Sequence, residues 1–148
     1  MIVKTTISNK KFLEVKKAFL DKDAKLLKIL SPPGVRIKHH KGVRRGSLTK
    51  LSVLGSDATF KVVTYSSKKH KLYFNDILHK GKFFGVKFWS HRHTVNDKIT
   101  CVEIIDEVHF TTKSRIKDCI LLPLFCIYMY TYRKLAYKLH FFLTNGGI

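Results

Sequence analysis

At 148 residues the chain can bury one sizeable core and is short for two ordinary domains, so a single domain is expected. Its 45% hydrophobic and 26% charged content excludes a disordered chain. The 29 Lys and Arg against 10 Asp and Glu give +19, a field that favours anionic partners without choosing among nucleic acid, acidic lipid surfaces and charged ligands.

Met1 to Ser8 alternates like a strand and lacks the apolar centre of a signal peptide, so secretion is not expected. Cys101, Cys119 and Cys126 cannot all pair and lack metal-type spacing, which predicts reduced thiols in a cytoplasmic protein. After the first strand, Ser8 or Asn9 can cap a helix that buries Phe12, Val15 and Phe19. A second short helix can start at Asp23 and bury Leu27 and Leu30; Pro32-Pro33-Gly34 must end it, because proline lacks a donor and restricts its predecessor.

From Val35 onward the chain reads as antiparallel strands at residues 35–40, 47–54, 57–66, 70–79, 83–95 and 99–110. The turns fall at Gly42 to Gly46, Gly55-Ser56, Ser67 to Lys69 and Gly81. The last two strands, Phe83 to Phe110, organise the rest. They join at Asn96-Asp97, a pair that tolerates turn backbone, and a two-residue loop would set Val95 against Lys98, His93 against Thr100, His91 against Val102, Trp89 against Ile104 and Lys87 against Asp106. Strand alternation puts Trp89, His91, His93 and Val95 on the face of Val102, Ile104, Asp106, Val108 and Phe110. That set is mostly apolar, so the tryptophan and the histidines should point inward.

Trp89-x-His91-x-His93, a polar turn, and then Thr100, Asp106, Val108 and Phe110 resemble the final hairpin of the SRPBCC proteins, the START-like or helix-grip superfamily, in its small bacterial single-domain branch. Pro32-Pro33-Gly34-Val35 is similar to the family's junction before the second strand. The resemblance implies an α+β fold of order βααββββββα, in which a seven-stranded curved antiparallel sheet wraps a long C-terminal helix. It also implies that sheet and helix leave a deep cavity for an apolar guest.

The residues themselves support that helix. Leu121, Phe125, Tyr128, Tyr132, Leu135, Leu139 and Phe142 recur at alternating spacings of four and three, and such a stripe must cover an apolar face. The helix is expected to begin near Pro123, with Lys113 to Asp118 as connection, and to end at Asn145-Gly146-Gly147. The longest uncharged run, Cys119 to Tyr132, is too short to cross a bilayer.

Candidate ligand-binding residues are Tyr73, Trp89, His91, His93, Asp106, Tyr128, Tyr132 and Tyr137. The aromatics either line a cavity or fill the core. His91 and His93 form a structural hydrogen-bonded pair, orient a guest, or bind a metal with Asp106 as the nearest third ligand; the structural reading is preferred and no metal or cofactor is expected. Asp106, facing inward, is either ion-paired with Lys87 or a general acid or base. Tyr137-Lys138 stands where the family's Tyr-Arg is expected, with lysine losing the bidentate fork. No nucleophile, base and oxyanion set is recognisable, so no catalytic residue is named.

The expected function is binding of an apolar or amphipathic small molecule, of lipid, polyketide-like or isoprenoid kind. A cyclase, dehydratase or hydrolase on the same fold is the second reading. The third is a nucleic-acid or anionic membrane-surface protein that uses its basic surface, densest at Lys38 to Arg45; it is not favoured, because no strand carries an RNA-binding aromatic and glycine signature.

Overall fold

The computed structural model describes residues 1–81 and 85–144. Seven strands, β1 (Ile2–Ile7), β2 (Val35–His40), β3 (Leu48–Val53), β4 (Ser56–Ser67), β5 (Lys71–Gly81), β6 (Val86–Asp97) and β7 (Val102–Thr112), form one curved antiparallel sheet in the order β1-β7-β6-β5-β4-β3-β2. Short helices α1 (Phe12–Leu20) and α2 (Lys25–Leu30) follow β1. A long C-terminal helix follows β7 and crosses the concave face: α3 (Arg115–Ile127), a π-helical segment at Tyr128–Arg133, and α4 (Lys134–Leu143). The expected order and architecture are therefore present. The expected strand start at Phe83 and helix end at Asn145-Gly146-Gly147 lie outside the described residues. No described helix is long and apolar enough to cross a membrane.

The first helix buries Phe12, Val15 and Phe19 as its spacing predicts. Its cap differs from expectation. Lys11 occupies the N-cap position and donates its backbone N–H to Glu14 Oε2 at 2.8 Å, so the acceptor comes from inside the helix. Asn9 instead donates to the Phe141 carbonyl at 3.4 Å. In α2 the buried residues are Leu26 and Leu30, and Leu27 is left half-buried against the cavity.

The β6–β7 register corrects the expected turn. Asn96 and Asp97 stay in the strand, opposite Glu103 and Val102, and Lys98 to Cys101 make the turn, closed by a 2.9 Å bond from the Lys98 N–H to the Cys101 carbonyl. Side-chain partners explain why the polar pair continues the ladder: Asn96 donates to Glu103 at 3.2 Å and Asp97 pairs with His70 at 2.8 Å. The shift preserves facing, so Trp89, His91, His93 and Val95 still point inward, now opposite Phe110, Val108, Asp106 and Ile104. Lys87 falls at a bulge between the Val86 and Phe88 pairings and does not face Asp106; His93 does.

Two further corrections concern the C-terminal helix. It starts at Arg115, with Pro123 inside it. Pro123 and Cys119 are both exposed, so the acceptor that proline leaves without its usual partner lies on the solvent side, where the loss is smallest. Then the π-helical turns at Tyr128–Arg133, wider than α-turns, advance the helix by about one residue relative to a 3.6-residue repeat. The inward face beyond them is Met129, Arg133, Ala136, Tyr137 and Phe141, not Tyr132, Leu135, Leu139 and Phe142. The outer side keeps a second apolar ridge, with Ile116, Ile120, Leu124 and Ile127 on α3 and Leu135, Leu139 and Phe142 on α4, all more than half exposed.

The core divides in two. One cluster joins Val15, Phe19, Leu72, Val95, Ile104, Tyr137 and Phe141; the other joins Val3, Ala58, Phe60, Trp89, Val108 and Met129. Each fully buried large apolar side chain stabilises the fold by roughly 1.5–3 kcal/mol. Between the clusters, on the same inward face, sit His91, His93 and Asp106. Trp89 is 6% exposed and packs against Phe125 at 5.2 Å between ring centroids. Its fluorescence is expected to be blue-shifted and resistant to iodide; water-like emission with ready quenching would contradict this packing.

Candidate functional site

Strand pairing assembles the site. On the inward face Asp76 of β5 lies opposite His91, and Asp106 of β7 lies opposite His93, so two carboxylates bracket the imidazole pair from neighbouring strands. The rings of His91 and His93 are 3.9 Å apart. His91 Nε2 is 3.1 Å from Asp106 Oδ1, His93 Nδ1 is 2.8 Å from the same oxygen, and His93 Nε2 is 3.6 Å from Asp76 Oδ2. The 2.8 Å contact lies out of line for a hydrogen bond, so Nδ1 of His93 is held by charge rather than by an aligned bond.

The C-terminal helix closes the network from above. Arg133 reaches Asp106 through Nε at 3.2 Å and Nη2 at 3.3 Å, and Nη2 also donates to the Tyr137 hydroxyl at 3.1 Å. Tyr137 is fully buried and contacts Asp106 at 3.4 Å. The cation that meets Asp106 is thus Arg133, one turn before the expected Tyr137-Lys138, and it supplies the fork that lysine would lack.

Charge is distributed unevenly across this cluster. Burial pushes Asp106 up, but the Arg133 guanidinium and the two imidazoles outweigh it and hold the carboxyl well below its ordinary range. Burial, helped by the charges of His93 and Arg133, lowers His91 from 6.5 to about 4, so its ring is neutral. Burial also opposes charge on His93, yet Asp106 and Asp76 raise it above its usual value. Desolvation raises the Tyr137 hydroxyl well above 10.0 and keeps it a neutral donor. Two adjacent histidines are therefore shifted in opposite directions, His93 up because it sits between both carboxylates and His91 down because burial dominates and its neighbours' positive charge adds to it.

Next to the cluster lies a cavity of ≈ 390 Å³, bounded by α1 and α2, the middle strands and α3. Its wall is largely apolar, with Leu30, Leu51, Phe60, Val62, Trp89 and Phe125, and its polar end is formed by Asp76, His91, His93 and Arg133. A volume of this size falls within the range of small-molecule sites.

Of the residues singled out in the sequence, Trp89, His91, His93 and Tyr128 line the cavity. Asp106 and Tyr137 stand behind the histidines as partners. Tyr73 does not line it: it shares the outer face with Arg92 and Thr94, and the Arg92 guanidinium lies 5.8 Å from its ring centroid. Tyr132, 40% exposed, stacks on Tyr128 and donates to the Ile29 carbonyl at 3.0 Å, while the Tyr128 hydroxyl donates to the Leu30 carbonyl. These two tyrosines satisfy the last carbonyls of α2 and tie it to the π-helical segment.

Two site residues escaped the sequence reading. Asp76 alternates with Leu72 and Phe74 on β5, so an acidic residue at an inward position was a usable signal. Arg133 carried one as well, since Tyr132-Arg133 is itself a Tyr-Arg pair, but the phase of the α-helical stripe hid it, because the π-helical segment turns Arg133 inward. Asp76, His91 and His93 each offer one potential metal ligand, with the donor atoms within 4.8 Å of one another.

No family model and no curated protein sequence matches the chain. Solved structures do. XoxI from Bacillus cereus superposes over 99% of this chain and 98% of its own, with TM-score 0.67 at 14% identity. Norcoclaurine synthase from Thalictrum flavum superposes over 99% of this chain and 86% of its own, with TM-score 0.66 at 16% identity. The chain has the helix-grip fold. A nucleoside-diphosphate sugar epimerase from Corynebacterium glutamicum contains the same arrangement, with TM-score 0.61 at 16% identity over 77% of this chain. The helix-grip chain spans only 24% of that protein.

Proposed function

We propose that this chain binds one apolar or amphipathic small molecule, its body against Phe60, Trp89 and Tyr128 and its polar group against His91, His93 and Arg133. The observation that carries the reading is a cavity whose apolar wall ends on a buried, internally neutralised cluster. Core packing gives no reason for such a combination. Empty volume costs dispersion contacts, and buried polar groups are worse than apolar ones unless something uses them. A structure of norcoclaurine synthase with dopamine and hydroxybenzaldehyde supports a guest of similar size, aromatic or aliphatic with a polar end. Lipid, polyketide-like and isoprenoid compounds all fit that description. Coverage of almost all of XoxI supports the small bacterial single-domain branch of SRPBCC proteins, and three free cysteines fit a cytoplasmic setting.

Native mass spectrometry of freshly purified protein should reveal a retained compound. Leu51→Trp, which fills the cavity, should reduce retention by roughly ten-fold or more. Tyr73→Phe, on the outer face, should leave it unchanged. Equal retention by wild type and Leu51→Trp would sink the proposal. A second reading, acid–base catalysis, is favoured by one feature, His91 with its pKa lowered beside His93 with its pKa raised. Conversion of the retained compound to a product of different mass on incubation would select it.

A further inference from the structure

We propose that Asp76, His91 and His93 form a binding site for a divalent transition-metal ion at the inner end of the cavity. Imidazole and carboxylate donors in this combination suit ions of the zinc and ferrous type.

Geometry is the first support. Asp76 lies opposite His91 in the β5–β6 ladder, and His93 is one inward position further along β6. Their candidate donor atoms lie within 4.8 Å of one another, and His93 Nε2 stands 3.6 Å from Asp76 Oδ2. Ligand atoms around a tetrahedral ion with bonds of about 2.1 Å are roughly 3.4 Å apart. That pair is close to this spacing, and the other two edges, within 4.8 Å, close by side-chain rotation when the ion binds.

Asp106 is the second support. A metal-bound histidine commonly has its other ring nitrogen held by a carboxylate, which fixes the ring and leaves one lone pair for the metal. Here a single carboxylate serves both rings, through Nε2 of His91 and Nδ1 of His93, and Arg133 and Tyr137 hold that carboxylate in turn. Nδ1 of His91 and Nε2 of His93 remain as the ligand nitrogens.

Charge and access complete the case. Metal ligation requires both imidazoles neutral, and in that state Asp76 and Asp106 outnumber the one guanidinium, Arg133, so a cation takes the place of the positive charge that a proton otherwise supplies. A divalent ion over-corrects by one charge, which an anionic oxygen can balance. Three protein ligands leave a coordination position free, and all three line the cavity. Resting on the small-molecule reading above, the guest is then one whose polar end carries a carboxylate, phenolate or enolate oxygen.

The test uses the full chain stripped with a chelator and titrated with Co2+, with visible d–d absorption as readout. One equivalent should bind with micromolar or tighter affinity and should raise the thermal midpoint. Asp76→Asn lies outside the Arg133 pair and should fold normally while losing at least roughly ten-fold in Co2+ affinity. His93→Gln should also lose the absorption, whereas His109→Gln, on the surface, should retain it. Equal Co2+ binding by wild type, Asp76→Asn and His93→Gln overturns the site, as does absence of saturable binding. If chelated protein retains its small molecule but binds no Co2+, the metal proposal alone falls. If Co2+ binds and no small molecule is ever retained, the binding reading falls instead.

Discussion

Arg133→Met is expected to destabilise the protein by roughly 3–5 kcal/mol, because it removes the guanidinium partner of a buried ion pair and leaves the Asp106 charge to the two imidazoles and the Tyr137 hydroxyl. The loss has three parts: two bonds to Asp106, one to the Tyr137 hydroxyl, and the desolvated charge left behind. Removing both charges at once, in Arg133→Met with Asp106→Leu, should recover much of it, since the Coulombic gain and the desolvation penalty disappear together. Urea denaturation of the two single variants and the double variant closes the cycle. A single-variant loss below about 1 kcal/mol would mean that the pair behaves as a surface ion pair and that the cluster is open to water.

Acidification should weaken the metal-free protein in two stages. The folded pKa of His91 is lowered from 6.5 to about 4, so between those values the unfolded chain binds a proton that the folded chain refuses. Stability therefore falls as pH drops through that window, by about 3 kcal/mol in all. Asp106 adds a later loss. Its folded pKa is lowered well below 3.8, so its contribution is present above the ordinary carboxylate value and disappears only at lower pH. His93 has the opposite sign: its pKa is raised, so its contribution is complete below 6.5 and is lost as pH rises through the folded value. The stability maximum should accordingly lie near neutrality. Urea midpoints taken at pH 7, 5.5 and 4.5 test this against His91→Gln, which should flatten the upper stage. Parallel profiles for the two proteins would show that His91 is solvated and ordinary.

Strand periodicity made most of the sheet and the inward hairpin face legible. Because facing depends only on parity, Trp89, His91 and His93 kept their side even though the turn moved from Asn96-Asp97 to Lys98–Cys101. Pairing was not legible in the same way, since it depends on where the ladder stops, and here the side-chain partners of Asn96 and Asp97 prolong it. Asp106 was consequently assigned Lys87 in place of His93. On the C-terminal helix the failure was one of phase. A fixed helical repeat cannot anticipate a π-helical segment, so everything past Tyr128 was read about one residue out of step, and Arg133 was missed with it.

The outer ridge of that helix is where copies of the chain are expected to meet in solution. Ile116, Ile120, Leu124, Leu135 and Leu139 offer a surface that two molecules would bury against each other if they could approach. Opposing that approach is a charge of +19 on each. That repulsion is felt over about 10 Å in 0.1 M salt and only about 3 Å in 1 M. Added salt should therefore act in reverse of its usual solubilising role for a basic protein: light scattering should rise with ionic strength, and the least crowded, most monodisperse solutions should be the most dilute in electrolyte.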